Sequence, residues 1–275
     1  LKHWEGLGYY RRVIYLKETC QQIIDIYSAN IPKDLNDLLS LKGIGSYTAA
    51  AISSIAYQLP NPVIDGNVKR ILSRIFLITK FNVQIHKEMM NYLISIIPLR
   101  NPGDFNQAMM ELGRLICKPK SPLCIQCVIK KYCKSYKTDS VHLYPSAKIK
   151  KNLPHYDIGI GVVWKKDKIL ITKRKKNMLL GGLWEFPGGK IKLNESVIDS
   201  IKRELYEELE IKVDVKDFIT SVKHSYSHFS IKLYVHHCIY VGGEIKCHSS
   251  DGWRWIKQTE FEDYPFPSAN HKIFP

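Results

Sequence analysis

Four cysteines bunched in one short segment constrain this chain more than any other feature of its sequence. The segment reads CKPKSPLCIQCVIKKYC and holds Cys117, Cys124, Cys127 and Cys133, separated by six, two and five residues. A disulfide framework spreads its cysteines along the chain, so the bunching favours a metal site in a reducing compartment. Zinc usually takes two C-x-x-C-like pairs and this segment has one, which leaves zinc, and packing of free thiols, as weaker alternatives. Four close, unevenly spaced thiolates suit a [4Fe–4S] cluster.

The remaining cysteines and the charge balance set further limits. Cys20, Cys238 and Cys247 lack ligand spacing, and we expect them to be ordinary buried residues. The chain has 275 residues, enough for two domains, and its 41 Lys and Arg against 26 Asp and Glu give a net charge of +15. This excess is spread over both halves, which favours a polyanionic partner over a merely solvated surface. No apolar run approaches the roughly 20 residues that a membrane span needs.

A Gly-x-Gly turn in the N-terminal half indicates a phosphate contact. Apolar residues at helical spacing run through 11–29 and 33–58, and the second stretch contains LKGIGSYTAAA, with Gly43 and Gly45 before a helix of small residues. Such a turn exposes backbone N–H groups beside a helix N-terminus, which suits one phosphate without reading sequence. A tight turn between two helices is the alternative explanation.

A polar position follows at the start of the next helix. In NPVIDGNVKRILSRI, Asp65 precedes Gly66 and Asn67. A helix cap is the simplest interpretation of Asp65, because aspartate is a favoured N-cap residue. The order of the features along the chain, first the hairpin, then this aspartate and then the four cysteines, favours a functional role as well.

This order of motifs resembles the helix-hairpin-helix DNA glycosylases, and specifically the MutY family of adenine DNA glycosylases. The matching segments are HWEGLGYYRR, LKGIGSYTA, VIDGNVKR, FNQAMMELG before the first cysteine, and the cysteine spacing itself. The resemblance covers nearly the whole chain and implies a mainly α helix-hairpin-helix glycosylase domain with an iron–sulfur loop, followed by an α+β Nudix-like domain. The expected limits are 1–135 for the first domain, 136–154 for a basic linker and 155–275 for the second domain.

The resemblance assigns catalytic roles in the first domain. Asp65 is implied to be the carboxylate that stabilises positive charge on the deoxyribose as the N-glycosidic bond breaks, with Asn67 positioning it or the water, and Tyr47 on the same side. The sister endonuclease III group has a Lys in place of Tyr47, so a monofunctional glycosylase without an amine nucleophile is implied. The family's general acid, a Glu, is expected on a helix before Leu1. Glu5 does not match its motif, and the chain as given is expected to be a poor catalyst.

The resemblance also implies contacts with DNA. Leu7 and Tyr9 in GLGYY match residues that wedge into the duplex near the lesion, and a buried aliphatic–aromatic pair is the alternative. The residues expected to contact phosphate are Gly43, Gly45, Lys118 and Lys120. The implied partner is double-stranded DNA with an A:8-oxoguanine or A:G mispair, bound by a monomer. In a bacterium such a protein would be cytoplasmic and associated with the nucleoid.

The second half of the sequence predicts a linker and then a compact α+β domain. The linker is polar, with Lys148, Lys150 and Lys151 before Pro154, and is basic enough to lie along DNA. The segments IGIGVVW, DKILITKR and FSIKLYVHHCIYV have the pattern of strands, and one amphipathic helix lies among them.

That helix lies in GKIKLNESVIDSIKRELYEELE, which matches the Nudix box G-x5-E-x7-R-E-U-x-E-E-x-G-U, where U is aliphatic, at all fixed positions but one. Glu204, Glu207 and Glu208 stand at i, i+3 and i+4, so one helix face presents three carboxylates that suit Mg²⁺; a solvated acidic face is the alternative. Glu210 replaces the terminal Gly, where a left-handed residue normally ends the helix, and is expected to carry a steric penalty.

The family's Nudix-like domain serves lesion recognition. In HSYSHFS, Tyr226, Ser227 and His228 match a family loop, usually Phe-Ser-His, that contacts 8-oxoguanine in the opposite strand; an ordinary turn at a strand start is the alternative. The resemblance therefore implies an adenine DNA glycosylase of base excision repair that acts opposite 8-oxoguanine or guanine, with the Nudix box as an inherited scaffold. The alternatives are a Nudix pyrophosphohydrolase fused to a DNA-binding module, and a lesion binder without catalytic activity.

Overall fold

A computed structural model of the protein describes residues 1–146 and 152–273, so the linker lysines Lys148, Lys150 and Lys151 lie outside the described residues. The chain divides into two compact units: a helical unit, Tyr15–Lys150, and a mixed unit, Leu1–Ile14 with Lys151–Pro275. The sequence predicts instead that the first residues belong with the helices, and the domain limits at 135 and 155 stay a prediction. No helix in the described part of the chain is both long and apolar enough to cross a membrane.

The helical unit confirms the helices predicted at 11–29 and 33–58. Its helices are α1 (Arg11–Tyr27), which begins just before the unit, α2 (Leu35–Ser40), α3 (Ser46–Tyr57), α4 (Gly66–Phe76), α5 (Val83–Ile96), α6 (Pro102–Leu115) and α7 (Lys134–Lys137). Side-chain oxygens of Asp34 and Asn82 accept hydrogen bonds from the first turns of α2 and α5, which fixes where these helices begin. Two apolar clusters, one around Leu38 and one around Leu72, form the core of the unit.

The mixed unit is built on a seven-stranded sheet. Its strands and helices are β1 (His155–Lys165), β2 (Lys168–Arg174), β3 (Trp184–Glu185), β4 (Gly188–Lys190), α8 (Val197–Leu209), β5 (Lys212–Ser225), β6 (Ser230–Gly242), β7 (Ser250–Lys257) and α9 (Ser268–His271). The strand order is β3-β2-β1-β6-β5, with β4 also paired to β1 and β7 to β2. Strands β1 and β6 are parallel, and the other pairs are antiparallel.

Apolar side chains on both faces of the sheet hold this unit together. One face packs against α8 through Ile201 and Leu205, and the other is covered near α9 by Phe266 and Ile273. Gly159 lies under α8, where a Cβ would come within 3.0 Å of Ile201 Cγ1. The structure therefore confirms the α+β fold and its single long amphipathic helix.

The three cysteines outside the bunched segment lie at different depths. Cys238 is buried in β6, as expected, and Cys247 is partly buried. Cys20 is exposed on α1, so the expectation that it is buried is wrong. The physical reason is its position on the helix, because Thr19 next to it takes the buried face of α1.

The residues before α1 join the mixed unit through a carboxylate. Glu5 accepts a hydrogen bond from the Phe266 backbone N–H at 2.7 Å, pairs with Lys2 Nζ at 2.7 Å and contacts the His271 imidazole. Burial raises the pKa of Glu5, but hydrogen bonds from these three groups outweigh it and lower that pKa. Glu5 thus has a structural role, in keeping with its mismatch to the family's acid motif.

Candidate functional site

The Gly-x-Gly hairpin connects α2 to α3 and requires glycine at its first position. Gly43 has a φ of +77°, and a Cβ there would lie 2.6 Å from the Cβ of Tyr15, so backbone conformation and packing both exclude a side chain. Gly45 is the N-cap of α3 and offers no side-chain cap. No side chain of the N-cap residue therefore occupies the N–H groups of the first turn of α3, and a phosphate contact there stays a prediction.

Asp65 caps α4 and at the same time holds a second polar side chain. Its Oδ1 accepts a hydrogen bond from the Val68 backbone N–H at 2.7 Å, and its Oδ2 accepts one from Asn67 Nδ2 at 3.0 Å. The helix-cap interpretation is therefore correct, and it does not exclude a second role. The two bonds fix the carboxylate, which remains partly exposed.

Arg70 connects this pair to the cysteine segment. Its guanidinium donates to Asn67 Oδ1 at 2.9 Å, to the Gly113 carbonyl at 2.7 Å and to the Cys117 carbonyl at 2.7 Å. Asn67 also packs directly on α6, because a Cβ on Gly113 would lie 2.5 Å from Asn67 Cβ. A continuous hydrogen-bonded path thus runs from Asp65 through Asn67 and Arg70 to the first cysteine of the segment.

Tyr47 lies in the first turn of α3 and reaches the same helix, α6. Its hydroxyl donates to Met110 Sδ at 3.6 Å, and its ring is about half exposed. Met110 and Gly113 are three residues apart on α6 and so lie on one side of that helix. The structure therefore brings Tyr47 and Asn67 to one side of α6.

The four cysteines line a single pocket. Its other walls include Ile116, Tyr136 and Val141. Burial raises the pKa of the Cys124 and Cys127 thiols, so binding a metal group there would have to release protons. No three His, Cys, Asp or Glu side chains among the described residues are placed to hold a metal ion as they stand. The donor set itself, four thiols facing one mostly apolar pocket, fits a thiolate-ligated group.

Arg74 holds the backbone of the cysteine segment in place. This buried side chain donates to Cys117 Sγ at 3.1 Å and to the carbonyls of Lys118, Pro119 and Tyr144 at 2.8, 3.3 and 3.0 Å. Lys118 is partly exposed and Lys120 is exposed. The loop between the first two cysteines is therefore fixed from inside while it presents its lysines to solvent.

The GLGYY loop directs two apolar side chains into solvent. Trp4 Nε1 donates to the Gly8 carbonyl at 3.0 Å, and the Gly6 backbone N–H donates to the hydroxyl of buried Tyr10 at 3.2 Å. Leu7 is 62% exposed and Tyr9 is 74% exposed. The alternative of a buried aliphatic–aromatic pair is therefore wrong, and the loop has the form that a wedge would need.

The segment predicted to read the lesion forms the turn between β5 and β6. Ser225 pairs with Ser230, and the Tyr226 backbone N–H donates to the Phe229 carbonyl at 2.8 Å. Tyr226 packs into the core beside Phe229, whereas Ser227 and His228 are exposed at the tip. The Tyr9 hydroxyl lies 3.4 Å from Ser227 Oγ, within hydrogen-bonding distance. Two motifs 218 positions apart in sequence thus meet within the mixed unit.

The Nudix box forms a network of ion pairs around one arginine. Arg203 donates to Glu195 Oε1 at 2.6 Å, to Glu204 Oε1 at 2.8 Å and to Glu207 Oε2 at 2.9 Å. This pairing lowers the pKa of Glu195 to about 2. Glu204 packs directly on Gly189, where a Cβ would lie 2.2 Å from Glu204 Cδ. Two of the three carboxylates predicted to suit Mg²⁺ therefore share one arginine, and the magnesium site stays a prediction.

Glu208 and Glu210 end the box differently. Burial raises the pKa of Glu208 to about 7, a hydrogen bond from Ser249 lowers it, and the charges of Glu204 and Glu185 raise it further. Glu210 is left-handed with a φ of 57°, as expected for the residue that replaces the terminal Gly. Its carboxylate pairs with Lys246 Nζ at 2.9 Å and His248 Nε2 at 2.8 Å, which offsets part of the steric cost.

Replacing Glu208 by Gln is expected to change how stability depends on pH. The pKa of Glu208 in the folded protein is about 7, above its value in an unfolded chain, so the folded state binds the proton more tightly. The free energy of unfolding therefore falls as pH rises from the unfolded-state pKa of Glu, about 4.3, to the folded-state pKa of about 7. Glu208→Gln should remove on the order of 2 kcal/mol of that fall. Urea unfolding of both proteins at pH 5 and pH 8, with chelator present, measures it. Parallel pH profiles for the two proteins would contradict the assignment.

Sequence reasoning missed the two arginines that organise the helical unit. Arg70 stands three residues after Asn67, and Arg74 follows four residues later, so both lie on one face of α4. This spacing was the available signal. Their acceptors are mostly backbone carbonyls from distant parts of the chain. Every residue has a backbone carbonyl, so the sequence does not indicate which of them accepts.

The hairpin, the capped aspartate and the four-cysteine pocket lie in the helical unit, and the Nudix-type sheet forms the mixed unit. Residues 1–98 match the HhH-GPD superfamily of base excision DNA repair proteins, and residues 159–275 match the NUDIX domain. Curated proteins similar to this chain include adenine DNA glycosylases.

Three comparisons illustrate the match. An adenine DNA glycosylase of Arabidopsis thaliana is 33% identical over 84% of this chain and 41% of its own length. One from Buchnera aphidicola of Schizaphis graminum is 34% identical over 84% of this chain and 65% of its own length. A solved endonuclease III–DNA complex is 28% identical over 49% of this chain and 62% of its own, with a TM-score of 0.43. The chain thus spans less than two thirds of the length of these relatives.

Proposed function

We propose that this protein is a monofunctional glycosylase that removes adenine mispaired with 8-oxoguanine or guanine from double-stranded DNA. The observation that carries the proposal is the contact between the Tyr9 hydroxyl and Ser227 Oγ, 3.4 Å apart. One residue belongs to the loop expected to wedge into the duplex, and the other to the turn expected to read the lesion. Their meeting at one exposed surface supports a single binding site for one base.

The proposed chemistry uses the polar groups at the start of α4. As the N-glycosidic bond breaks, positive charge develops on the deoxyribose, and the partly exposed carboxylate of Asp65 would stabilise it. Asn67 holds that carboxylate through Oδ2 at 3.0 Å, which supports a positioning role. Tyr47 has no amine, so release of the base by hydrolysis, without a covalent Schiff base, is the expected outcome.

We further propose that Cys117, Cys124, Cys127 and Cys133 hold a [4Fe–4S] cluster. The support is that all four line one pocket, together with the hydrogen bond from Arg74 to Cys117 Sγ at 3.1 Å. When bound, the cluster would cross-link the loop and so fix the lysines at positions 118 and 120 for phosphate contact. No chemical step at the sugar needs it.

Iron content tests the cluster directly. Protein purified without oxygen is expected to be brown and to carry roughly four irons per chain. Cys124→Ser should lower affinity for duplex DNA more than it lowers the stability of the helical unit, whereas Cys20→Ser, at an exposed cysteine outside the segment, should change neither. Stoichiometric zinc in place of iron would contradict the cluster.

Lesion preference tests the proposed function. Ser227 and His228 carry donors and acceptors that suit the O8 acceptor and N7–H donor by which 8-oxoguanine differs from guanine. Ser227→Ala with His228→Ala is expected to lose about 1–3 kcal/mol of discrimination between A:8-oxoguanine and A:G duplexes in binding. Excision is to be measured in a chain that also carries the general-acid helix expected before Leu1, called the full-length protein below. With the same two changes, this protein should excise adenine from A:G at nearly the wild-type rate. An unchanged lesion preference in the double variant would contradict the proposal.

The second candidate function is a Nudix pyrophosphohydrolase fused to a DNA-binding module. The retained carboxylates favour it, but the pairing of Glu204 and Glu207 with Arg203, at 2.8 and 2.9 Å, argues against free metal ligands. Assays of A:8-oxoguanine duplex and 8-oxo-dGTP with Mg²⁺, run side by side, separate the two. Hydrolysis of 8-oxo-dGTP without adenine release by the full-length protein would favour the second candidate, and tight lesion binding with neither activity would favour a non-catalytic binder.

A further inference from the structure

A concave surface on the sheet lies directly beside the turn that carries Ser227 and His228. The concavity lies on the face of the sheet that α8 covers, because His155 and Asp157 of β1 point to the same face as Gly159. Gly159 lies under the start of α8, and these two residues precede it on β1, so the helix does not cover the concavity. Its lining residues include His155, Lys223, Ser225, Ser230, Lys232 and Tyr234. Nothing in the proposed chemistry or in the lesion contact uses this surface.

Two lysines on this surface stand directly opposite each other. Lys223 of β5 pairs with Lys232 of β6 in the antiparallel register, and both side chains line the concavity. Like charges in directly opposed positions destabilise a sheet, so such a pair needs another reason to be there. No carboxylate among the described residues comes within 4.0 Å of either lysine.

The surroundings do not neutralise this pair. Asp157, the nearest acid, lies beside Lys232 in the β1–β6 register, but its carboxylate faces His155 Nε2 at 3.5 Å. Lys232 Nζ sits 4.4 Å from the centre of the Tyr234 ring, which orients the ammonium group without cancelling its charge. The concavity is thus lined by one carboxylate, that of Asp157, and by two lysines and two histidines, His155 and His224.

Hydroxyl groups complete the set of donors. Ser225 and Ser230 form the closing pair of the hairpin, and both line the concavity, as does Tyr234. Ammonium groups surrounded by hydroxyls in a shallow, open surface suit a phosphodiester, which carries one charge and several acceptor oxygens. Ile231 also lines the concavity, but most of the other lining side chains are polar.

We propose that Lys223 and Lys232 bind backbone phosphates of the DNA strand that carries the lesion. This inference rests on the proposed function, since it takes the turn at 226–229 as the part that meets the lesion. The lysines lie two residues along the strands from the closing serine pair, about 7 Å by strand rise. Because a DNA strand advances 3.4 Å per nucleotide, they would reach phosphates within about three nucleotides of the recognised base. The stem of the hairpin then fixes the strand while its tip reads the base.

The salt dependence of binding tests this. For Lys223→Gln with Lys232→Gln, the slope of log K against log salt is expected to fall in magnitude by about 1.8, about 0.9 for each phosphate contact. Affinity should fall equally for lesion-containing and undamaged duplex, because phosphate contacts carry no sequence information. The variant should melt at or above the wild-type temperature, since it removes a like-charge pair. Tm therefore separates lost binding from lost folding.

A matched control lies at the opposite end of the same sheet. Lys166→Gln with Lys168→Gln removes the same charge at the β1–β2 turn, roughly 30 Å away by strand rise, and should leave the slope within about 0.3 of wild type, compared with the 1.8 expected above. The phosphate site would be overturned if Lys223→Gln with Lys232→Gln had the same salt slope as wild type. It would also be overturned if the slope fell by the same amount in the two double variants. Failure of the proposed function looks different: wild-type protein would then show no lesion preference, while the slope still falls in the Lys223 and Lys232 variant.

Discussion

Replacing Asp65 by asparagine is expected to reduce adenine release by at least about a hundredfold. An asparagine keeps the size of the side chain and an oxygen that can accept from the Val68 backbone N–H, as Asp65 Oδ1 does at 2.7 Å. It loses the negative charge, which is what the cationic sugar in the transition state requires. Binding to A:8-oxoguanine duplex should stay close to wild type. Single-turnover excision in the full-length protein, with binding measured in parallel, tests this.

The matched control is another aspartate that caps a helix. Asp34 accepts from the first turn of α2 through its side chain, as Asp65 does for α4. Asp34→Asn therefore makes the same chemical change at a helix start with no proposed role in catalysis, and excision should be unchanged. If Asp65→Asn loses binding as steeply as it loses turnover, then Asp65 is mainly a cap and the proposed chemistry is wrong.

Much of the local structure follows from sequence because it depends on short-range chemistry. The N-cap at Asp65, the positive φ of Gly43 and the left-handed conformation of Glu210 each depend on residues within about four positions of each other. The turn between β5 and β6 is of the same kind. Backbone conformation and capping are decided at this range, so the pattern of the residues indicates them.

Contacts between distant parts of the chain could not be predicted in this way. Glu5 pairs with His271 and accepts from Phe266, and its neighbours in sequence give no hint of either. The Nudix box shows the same limit in another form. Its carboxylates match a metal-binding pattern, but only the structure shows that Arg203 pairs with Glu204 and Glu207. A motif fixes which groups are present, whereas the tertiary structure decides which partner each group has.

The path from Asp65 to the cysteine segment gives the second large expected effect. Replacing Arg70 by glutamine leaves the Asn67 side chain and the Gly113 and Cys117 carbonyls without the donor that they share, at 2.9, 2.7 and 2.7 Å. Losing hydrogen bonds to a charged donor in a partly buried site is expected to cost about 2–4 kcal/mol of the free energy of unfolding. Glutamine is too short and has too few donors to replace all three bonds.

The same substitution should affect both ends of the path. Without Arg70, the Asn67 side chain loses the hydrogen bond to its Oδ1 that orients it toward Asp65, so the full-length protein should lose excision activity. The Cys117 carbonyl is released as well, so iron per chain should fall if the four cysteines hold the proposed cluster. Arg70→Lys should lie between wild type and Arg70→Gln, because one ammonium group cannot copy the planar array of donors. Urea unfolding and iron analysis of the same preparations measure both effects.

An arginine on the surface of the same unit provides the control. Arg114 on α6 is exposed and pairs only weakly with Glu111, at 3.7 Å, so Arg114→Gln should change stability by less than about 0.5 kcal/mol. Equal stability and iron content in the Arg70 and Arg114 variants would show that the path from Asp65 to Cys117 contributes neither to folding stability nor to iron binding. Loss of stability with full retention of iron and excision would show instead that Arg70 packs α4 against α6 without coupling the sugar site to the cysteine segment.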